Sequence, residues 1–315
     1  MPWGQDLQYA LALEHMNTRN GPLSPQLRDS IRLENTVRFS IVVATYNSAD
    51  TLHRCIDSIE NQDHPNKDLI IVDGASSDGT VDILRARGEV IHHWQSEQDT
   101  GVYQAWNRAL DHVNGDWIHF MGSDDYFLSP DVLSKIAARV RCCSENTLLV
   151  YGQSVLTSPS GSVQRVRGRP WQEARKMIDQ GGGMPLPHPA VFYRRTVFQK
   201  VGRFNENFRI SGDFEFVLRI LKLSTPVFLD GIMVSAMTLG GVSNRPENQM
   251  DRIFERGWAR SLHGLPRHPP GYWREHPKDF IYCLLCETMG RRGAHGIRKV
   301  YRSLTRLPWV NESGS

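Results

Sequence analysis

Four apolar β-type runs, each followed by a helix-type stretch, constrain this chain more than any other feature. Residues 39–45, 69–73, 90–94 and 117–121 are short, rich in Ile, Val and aromatics, and suited to strands buried on both faces. Ser48 precedes a stretch with Leu52, Cys55, Ile56 and Ile59 at i, i+3, i+4 and i+7, which predicts a capped amphipathic helix. Residues 80–87 and 102–113 predict two more helices, and Asn114-Gly115 ends the second. Ser129-Pro130 opens another, with serine as cap and proline at the first helical position. Strand and helix alternating four times predict an α/β fold: a mainly parallel sheet with helices on both faces.

The regularity loosens after residue 147. Residues 148–156 and 162–167 predict a hairpin around Ser158-Pro-Ser-Gly161. Gly181 to Gly183 and prolines 185, 187 and 189 predict a mobile stretch around His188. Residues 214–223 predict an amphipathic helix, and 226–245 short strands and loops. The division expected is an N-terminal helical appendage (1–38), a main α/β domain (39–245, with halves 39–147 and 148–245) and a helical, basic C-terminal extension (246–315).

In an open parallel sheet, ligands bind beyond the carboxyl ends of the strands. The first strand here runs into Thr45, Tyr46 and Asn47, the second into Asp73, the fourth into Asp124 and Asp125, and Asp99 precedes the third helix. One such loop is ordinary turn chemistry; acids at three of four favour a site. The loop after the first strand contains no glycine, which excludes a dinucleotide fingerprint or a P-loop. The remaining way to hold a diphosphate on an acidic edge is a divalent cation, Mg²⁺ or Mn²⁺, anchored on Asp124 and Asp125.

Ser40-Ile-Val-Val-Ala-Thr-Tyr-Asn47, Ile70-Ile-Val-Asp-Gly-Ala-Ser-Ser-Asp-Gly-Thr80, Asp99-Thr-Gly-Val-Tyr-Gln-Ala-Trp-Asn107 and Phe120-Met-Gly-Ser-Asp-Asp125 occur in this order and spacing. Together they resemble the GT-A-fold family 2 inverting glycosyltransferases, of the bacterial surface-polysaccharide kind, over roughly residues 39–245. The resemblance implies a GT-A (Rossmann-like) fold. It also implies transfer of a hexosyl or N-acetylhexosaminyl group from a nucleotide-diphosphate sugar, a UDP-sugar first, to a saccharide hydroxyl that is often lipid-linked. By the same resemblance Thr45, with Tyr46 and Asn47, borders the base and ribose, and Asp73 accepts a hydrogen bond from the base. Asp99, Asn107 and Asp124 line the nucleotide-sugar pocket, and Asp125 ligates Mn²⁺ or Mg²⁺. Many members read D-x-D-D at this point; here the first position is Gly122, which leaves fewer protein ligands. Ile210-Ser-Gly-Asp-Phe-Glu-Phe-Val-Leu-Arg219 is similar to the segment carrying the catalytic base, which gives Asp213 that role, with Glu215 as fallback. His188 falls where a residue faces the donor sugar or diphosphate. Asp213 could equally cap the helix after it, and His188 could be structural. Arg194, Arg195 and Arg219 could hold phosphates or pair with surface acids.

Two rival readings stay open. A nucleotidyltransferase would carry a loop rich in glycine and Lys or Arg after the first strand, and residues 45–51 lack one. A non-catalytic saccharide-binding protein has only the missing acid at Gly122 in its favour.

The charge of +3 is unevenly spread. Residues 251–315 hold 12 Lys and Arg against 6 Asp and Glu, leaving 25 against 28 in the rest. Arg291, Arg292, Arg298, Lys299, Arg302 and Arg306 flank Ile297, Val300, Tyr301 and Leu304, a pattern that fits peripheral contact with anionic lipid or packing on the catalytic domain. Nothing matches a nucleic-acid recognition fold. No apolar run approaches the ~18 residues of a membrane span, and Met1–Asp6 has no signal-peptide character. Five irregularly spaced cysteines suit a reducing cytoplasm. Cys283 with Cys286, and Cys142 with Cys143, read as core residues rather than metal ligands.

Overall fold

The computed structural model describes residues 37–158, 162–181, 184–238, 248–270 and 272. The expected N-terminal helix, the Cys283–Cys286 pair and the basic segment 291–306 lie outside the described residues.

The parallel core forms as expected. Strands β1 (Phe39–Thr45), β2 (Lys67–Asp73), β3 (His93–Ser96) and β4 (Trp117–Gly122) lie side by side in the order β3-β2-β1-β4, every pair parallel. Alternate residues serve opposite faces. Ile41, Val43, Leu69 and Ile71 pack with Leu52, Cys55, Ile56 and Ile59 of α1 (Ala49–Glu60), Leu84 of α2 (Thr80–Ala86), and Leu133 and Ile136 of α4 (Val132–Val140). Val42, Ile70, Ile118 and Phe120 face the other way, against Tyr103 and Trp106 of α3 (Val102–Ala109). Burying both faces removes the apolar side chains from water at about 25 cal/mol per Å².

Two boundaries move, and one pair of cysteines leaves the core. The third strand begins at His93, because Val90 and Ile91 belong to the approach, and only the His92 amide reaches the β2 carbonyl of Leu69, at 2.8 Å. The fourth helix begins at Val132 rather than after Ser129. Asp131 is its N-cap, and the Ser129 hydroxyl donates to the Asp131 carboxylate at 2.6 Å. Cys142 and Cys143, expected in the core, leave the C-terminal end of that helix exposed and half-buried, since the helix has ended and the chain turns outward there.

The second half joins the same sheet and makes it mixed. The short β5 (Tyr126–Phe127) pairs antiparallel with β9 (Val227–Thr238). The hairpin β6 (Leu149–Thr157) and β7 (Val163–Arg167) forms as predicted. The strand β8 (Val191–Arg194), buried but for its last residue, inserts antiparallel between β4 and β6, and β9 runs parallel to β6 as one long strand instead of several short ones. Helices α5 (Trp171–Asp179), α6 (Val197–Val201) and α7 (Gly212–Ile220) cover the Phe120 face, and α8 (Gln249–Leu262) packs on α7. The stretch before β8 is packed rather than mobile among its described residues: Leu186 and Ala190 have no exposure, and His188–Ala190 form a 3₁₀ turn.

Candidate active site

Parallel register levels the strand ends. Thr45 pairs with Asp73 and Asp73 with Ser96, while Ala44 pairs with Gly122, so all four strands deliver their last residues to one edge. The loops there are cross-tied. The fully buried Asp73 carboxylate accepts from the Ser76 amide at 2.9 Å, the Ser96 hydroxyl at 2.6 Å and the Ser76 hydroxyl. Ser76 in turn accepts from the Asn47 amide at 2.7 Å, and the Asn47 side-chain oxygen accepts from Ser77 at 3.0 Å. Asp73 thus organises both loops. Asn47 adopts a left-handed φ of +48°, and Tyr46 projects outward, 65 % exposed. The Thr45 hydroxyl is buried without a partner.

Asp99 stands over Gly74, where a β-carbon would come within 2.9 Å of its Oδ2. Burial, aided by the nearby Asp73 charge, lifts its pKa against the bond from the Gly101 amide. Asn107, one turn into α3 and beyond, is buried. Its side-chain nitrogen donates to the Phe204 carbonyl at 2.9 Å and the Glu206 carboxylate at 2.8 Å, and its oxygen accepts the Phe204 amide at 3.0 Å. It clamps α3 to the segment before α7, a partnership between residues almost a hundred positions apart.

At the end of β4 the two acids converge over Gly122. A β-carbon there would lie 2.8 Å from Asp124 Oδ1 and 3.1 Å from Asp125 Oδ2. That convergence gives a physical reason for glycine where an acid would complete D-x-D. Asp125 is buried; its Oδ2 accepts the Gly122 amide at 3.2 Å, and its Oδ1 has no partner. Burial, then the Asp124 charge, pushes its pKa well above the carboxylate range. A buried acceptor left unsatisfied beside a second carboxylate is chemically suited to a hard cation. Among the described residues no group of three or more His, Cys, Asp or Glu side chains is arranged to hold a metal, so a cation here would draw its further oxygens from a ligand.

Asp213 lies inside the first turn of α7, whose N-cap is Ser211, so it is not the cap. Its Oδ1 accepts the Phe214 amide at 2.8 Å and the Tyr103 hydroxyl of α3 at 3.4 Å. Burial raises its pKa, opposed by the Phe214 bond, the Arg256 charge and the Tyr103 bond. Gly212 makes this approach possible: a β-carbon there would sit 2.8 Å from the Tyr103 ring. Glu215 occupies another side of the same helix. It is buried, with one oxygen 2.9 Å from Arg219 and the other 2.9 Å from His263, so its carboxylate ties α7 internally and to the end of α8. His188 stacks on Trp106 at 4.8 Å, and burial lowers its pKa to about 3, so it is neutral at ordinary pH. Arg194 and Arg219 are engaged structurally, the first with the carbonyls of Thr147 and Ser144, the second with Glu215 and the Val201 carbonyl.

The profile of glycosyl transferase family 2 matches residues 40–202. The chain belongs to that family. A PGL/p-HBAD biosynthesis glycosyltransferase of Mycobacterium bovis is 33 % identical over 214 residues, covering 65 % of this chain and 79 % of the relative. Two solved structures are similar at low identity and bear on architecture alone. A mannosyltransferase from Pyrobaculum calidifontis, in complex with GDP-Man and Mn²⁺, superposes with a TM-score of 0.57 at 16 % identity over 96 % of this chain and 88 % of its own. Residues 1–349 of S. aureus TarS, in complex with UDP-GlcNAc, give 0.55 at 18 % identity over 73 % and 68 %; a longer TarS structure is covered over only 39 % of its length. The α/β architecture of this family 2 member is thus GT-A-like. Sequence reasoning missed Tyr103 as a partner of Asp213, and missed Ser96 and Glu255 altogether. The tyrosine stood inside a quoted motif; the other two make sense only through contacts distant in sequence.

Proposed function

We propose that this chain is an inverting, metal-assisted glycosyltransferase. It moves a hexosyl or N-acetylhexosaminyl group from a nucleotide-diphosphate sugar, a UDP-sugar, to a hydroxyl of a lipid-linked saccharide during bacterial glycoconjugate assembly. Asp213 carries the reading. It is a carboxylate of raised pKa at the start of a helix, bonded by Tyr103 from the helix that follows Asp99. Such a group is tuned for general base catalysis. In this scheme Asp213 takes the proton from the acceptor hydroxyl as that oxygen attacks the anomeric carbon from the face opposite the leaving diphosphate. Thr45, Tyr46, Asn47 and Asp73 hold the base and ribose, and Asp99 with neutral His188 faces the sugar and diphosphate. Asp125 and Asp124 would hold Mn²⁺ or Mg²⁺, which when bound offsets negative charge on the diphosphate. The donors named for the TarS and mannosyltransferase complexes, UDP-GlcNAc and GDP-Man with Mn²⁺, support this class.

No helix among the described residues is long and apolar enough to cross a membrane. A cytoplasmic workplace at the membrane surface, reached through the basic segment 291–306, belongs to the same proposal.

The test is thermal unfolding with UDP, GDP, CDP and dTDP, each with and without Mn²⁺, followed by donor hydrolysis. A ligand at a hundred times its Kd stabilises by about 2.7 kcal/mol. A Mn²⁺-dependent rise with UDP, together with release of UDP from a UDP-sugar, is the expected result. Absence of any nucleotide effect overturns it, and pyrophosphate release from a nucleoside triphosphate and a sugar phosphate would make the protein a nucleotidyltransferase.

A further inference from the structure

One buried carboxylate outside the site above acts on the backbone that leads into it. Glu255, on α8, is 8 % exposed. Its Oε1 accepts the Arg209 amide at 2.9 Å, and its Oε2 accepts the Ile210 and Ser211 amides, both at 2.8 Å. Three consecutive backbone N–H groups therefore bend around one side chain. The same contact is reinforced by the Ser211 hydroxyl, which donates to the Arg252 carbonyl at 3.4 Å.

The Ser211 amide, at the N-cap, has no intrahelical partner, the Arg209 and Ile210 amides precede the helix, and a carboxylate is a strong acceptor for all three. Here the three amides end at Ser211, the N-cap of α7, and Asp213 follows two residues later. The start of α7 has little freedom on its other side, because Gly212 is pressed against the Tyr103 ring. Glu255 thus fixes the backbone from one side while Tyr103 meets Asp213 from the other. Without the charge on Glu255, residues 209–211 would keep at most part of their acceptor, and the first turn of α7 would be free to rotate Asp213 away from the Tyr103 hydroxyl. A displacement of about 1 Å at a reacting group can cost about a hundredfold in rate.

We propose that Glu255 is a positioning residue for Asp213, holding the start of α7 so that the Asp213 carboxylate meets the acceptor hydroxyl. The inference rests on Asp213 being the general base.

The test is a double-mutant cycle of Glu255→Gln and Asp213→Asn in the full chain. Hydrolysis of UDP-GlcNAc, UDP-glucose and GDP-mannose is measured with Mn²⁺, the fastest donor being used throughout. Glu255→Gln is expected to lower kcat tenfold to a hundredfold, to leave the donor KM within twofold, and to cost nothing further in the Asp213→Asn background. If Glu255→Gln does not fold, Glu255→Asp takes its place in the cycle, with a smaller loss and the same lack of additivity. Unchanged kcat, a loss confined to donor KM, or a loss that adds fully to that of Asp213→Asn each overturn the proposal. So does failure of both Glu255 variants to fold, since Glu255 would then support the whole chain. Asp213→Asn at the wild-type rate is a separate result and would remove the base assignment itself.

Discussion

Taking this protein from pH 7 to pH 5 is expected to cost its fold about 2 kcal/mol through one side chain, His119. The residue lies in the middle of β4 with no exposure. Its Nδ1 is 2.8 Å from the Val191 carbonyl, and its ring stacks on Phe192 at 4.4 Å and Phe127 at 5.3 Å. With the Nδ1 hydrogen given to that carbonyl, Nε2 is a bare lone pair among aromatic rings, and it has no partner. A proton there would bring charge into the core, so burial lowers the pKa to about 3. In the unfolded chain the value returns to about 6.5. The unfolded state therefore takes up the proton first: the contribution of His119 is intact above pH ~6.5 and erodes as pH falls towards the folded value. At pH 5 the gap is about 1.5 units at 1.36 kcal/mol each, or ~2 kcal/mol. That figure hardly changes with the folded pKa, provided it stays well below 5. It corresponds to roughly 3 °C in Tm for a chain of this size. The assay is urea unfolding of the wild type and His119→Phe at both pH values. The variant loses the bond to Val191, a constant cost of about 1–3 kcal/mol, but it has nothing to titrate at this position. Its stability deficit should shrink by ~2 kcal/mol between pH 7 and 5. An equal deficit at both pH values would refute the picture of a neutral, buried histidine.

Three further expectations concern the site. Because the pKa of Asp213 is raised, its ionised form is lost early as pH falls. The acid limb of kcat, measured where circular dichroism shows an intact fold, should have its midpoint above the ~3.9 of an ordinary aspartate; a limb at or below that value contradicts the assignment. Gly122→Ala puts a methyl group 2.8 Å from Asp124 Oδ1. The Mn²⁺ concentration needed for UDP binding should rise by about tenfold, ~1.4 kcal/mol, and unchanged Mn²⁺ dependence would show that the two acids do not act together. Glu215→Gln removes the partner of Arg219 and His263 and should cost about 3 kcal/mol of stability, with kcat of the folded protein within about twofold. Collapse of kcat in a folded variant would move the base from Asp213 to Glu215.

The first half of the fold was readable because each of its elements states its role locally. The β1 and β2 runs have apolar centres, Ile41–Ala44 and Leu69–Val72, and Leu52, Cys55, Ile56 and Ile59 mark one helix face that is buried as expected. Elements of the second half depend on their neighbours. β8 is four residues long, between prolines and arginines, and becomes a strand because β4 and β6 both bond to it. β9 hides its length behind a left-handed turn at Gly231 and register shifts against β6. The candidate site divides in the same way. The acids at strand ends could be found from strand position alone, and so could Asp213 from its motif. Glu255 could not: in a basic helix a lone glutamate looks like a partner for a neighbouring arginine, and only the folded chain brings three distant amides to it. Asn107 was expected from its motif to line the nucleotide-sugar pocket, and in the fold its amide is engaged by Phe204 and Glu206.

The Asn107 clamp also bears on how such a chain could be recombined. A chimera cut at residue 147 would seem natural, since it separates the regular βα units from the rest. It would part Asn107 from Phe204 and Glu206, and Arg203 from the Asn107 carbonyl that accepts its guanidinium at 2.8 Å. A grafted first half with a different residue at position 107 would leave the Phe204 amide and carbonyl without these partners, at about 1–3 kcal/mol each. Exchange of the first half therefore has to carry 203–206 with it, a discontinuous block that a single crossover at residue 147 does not provide.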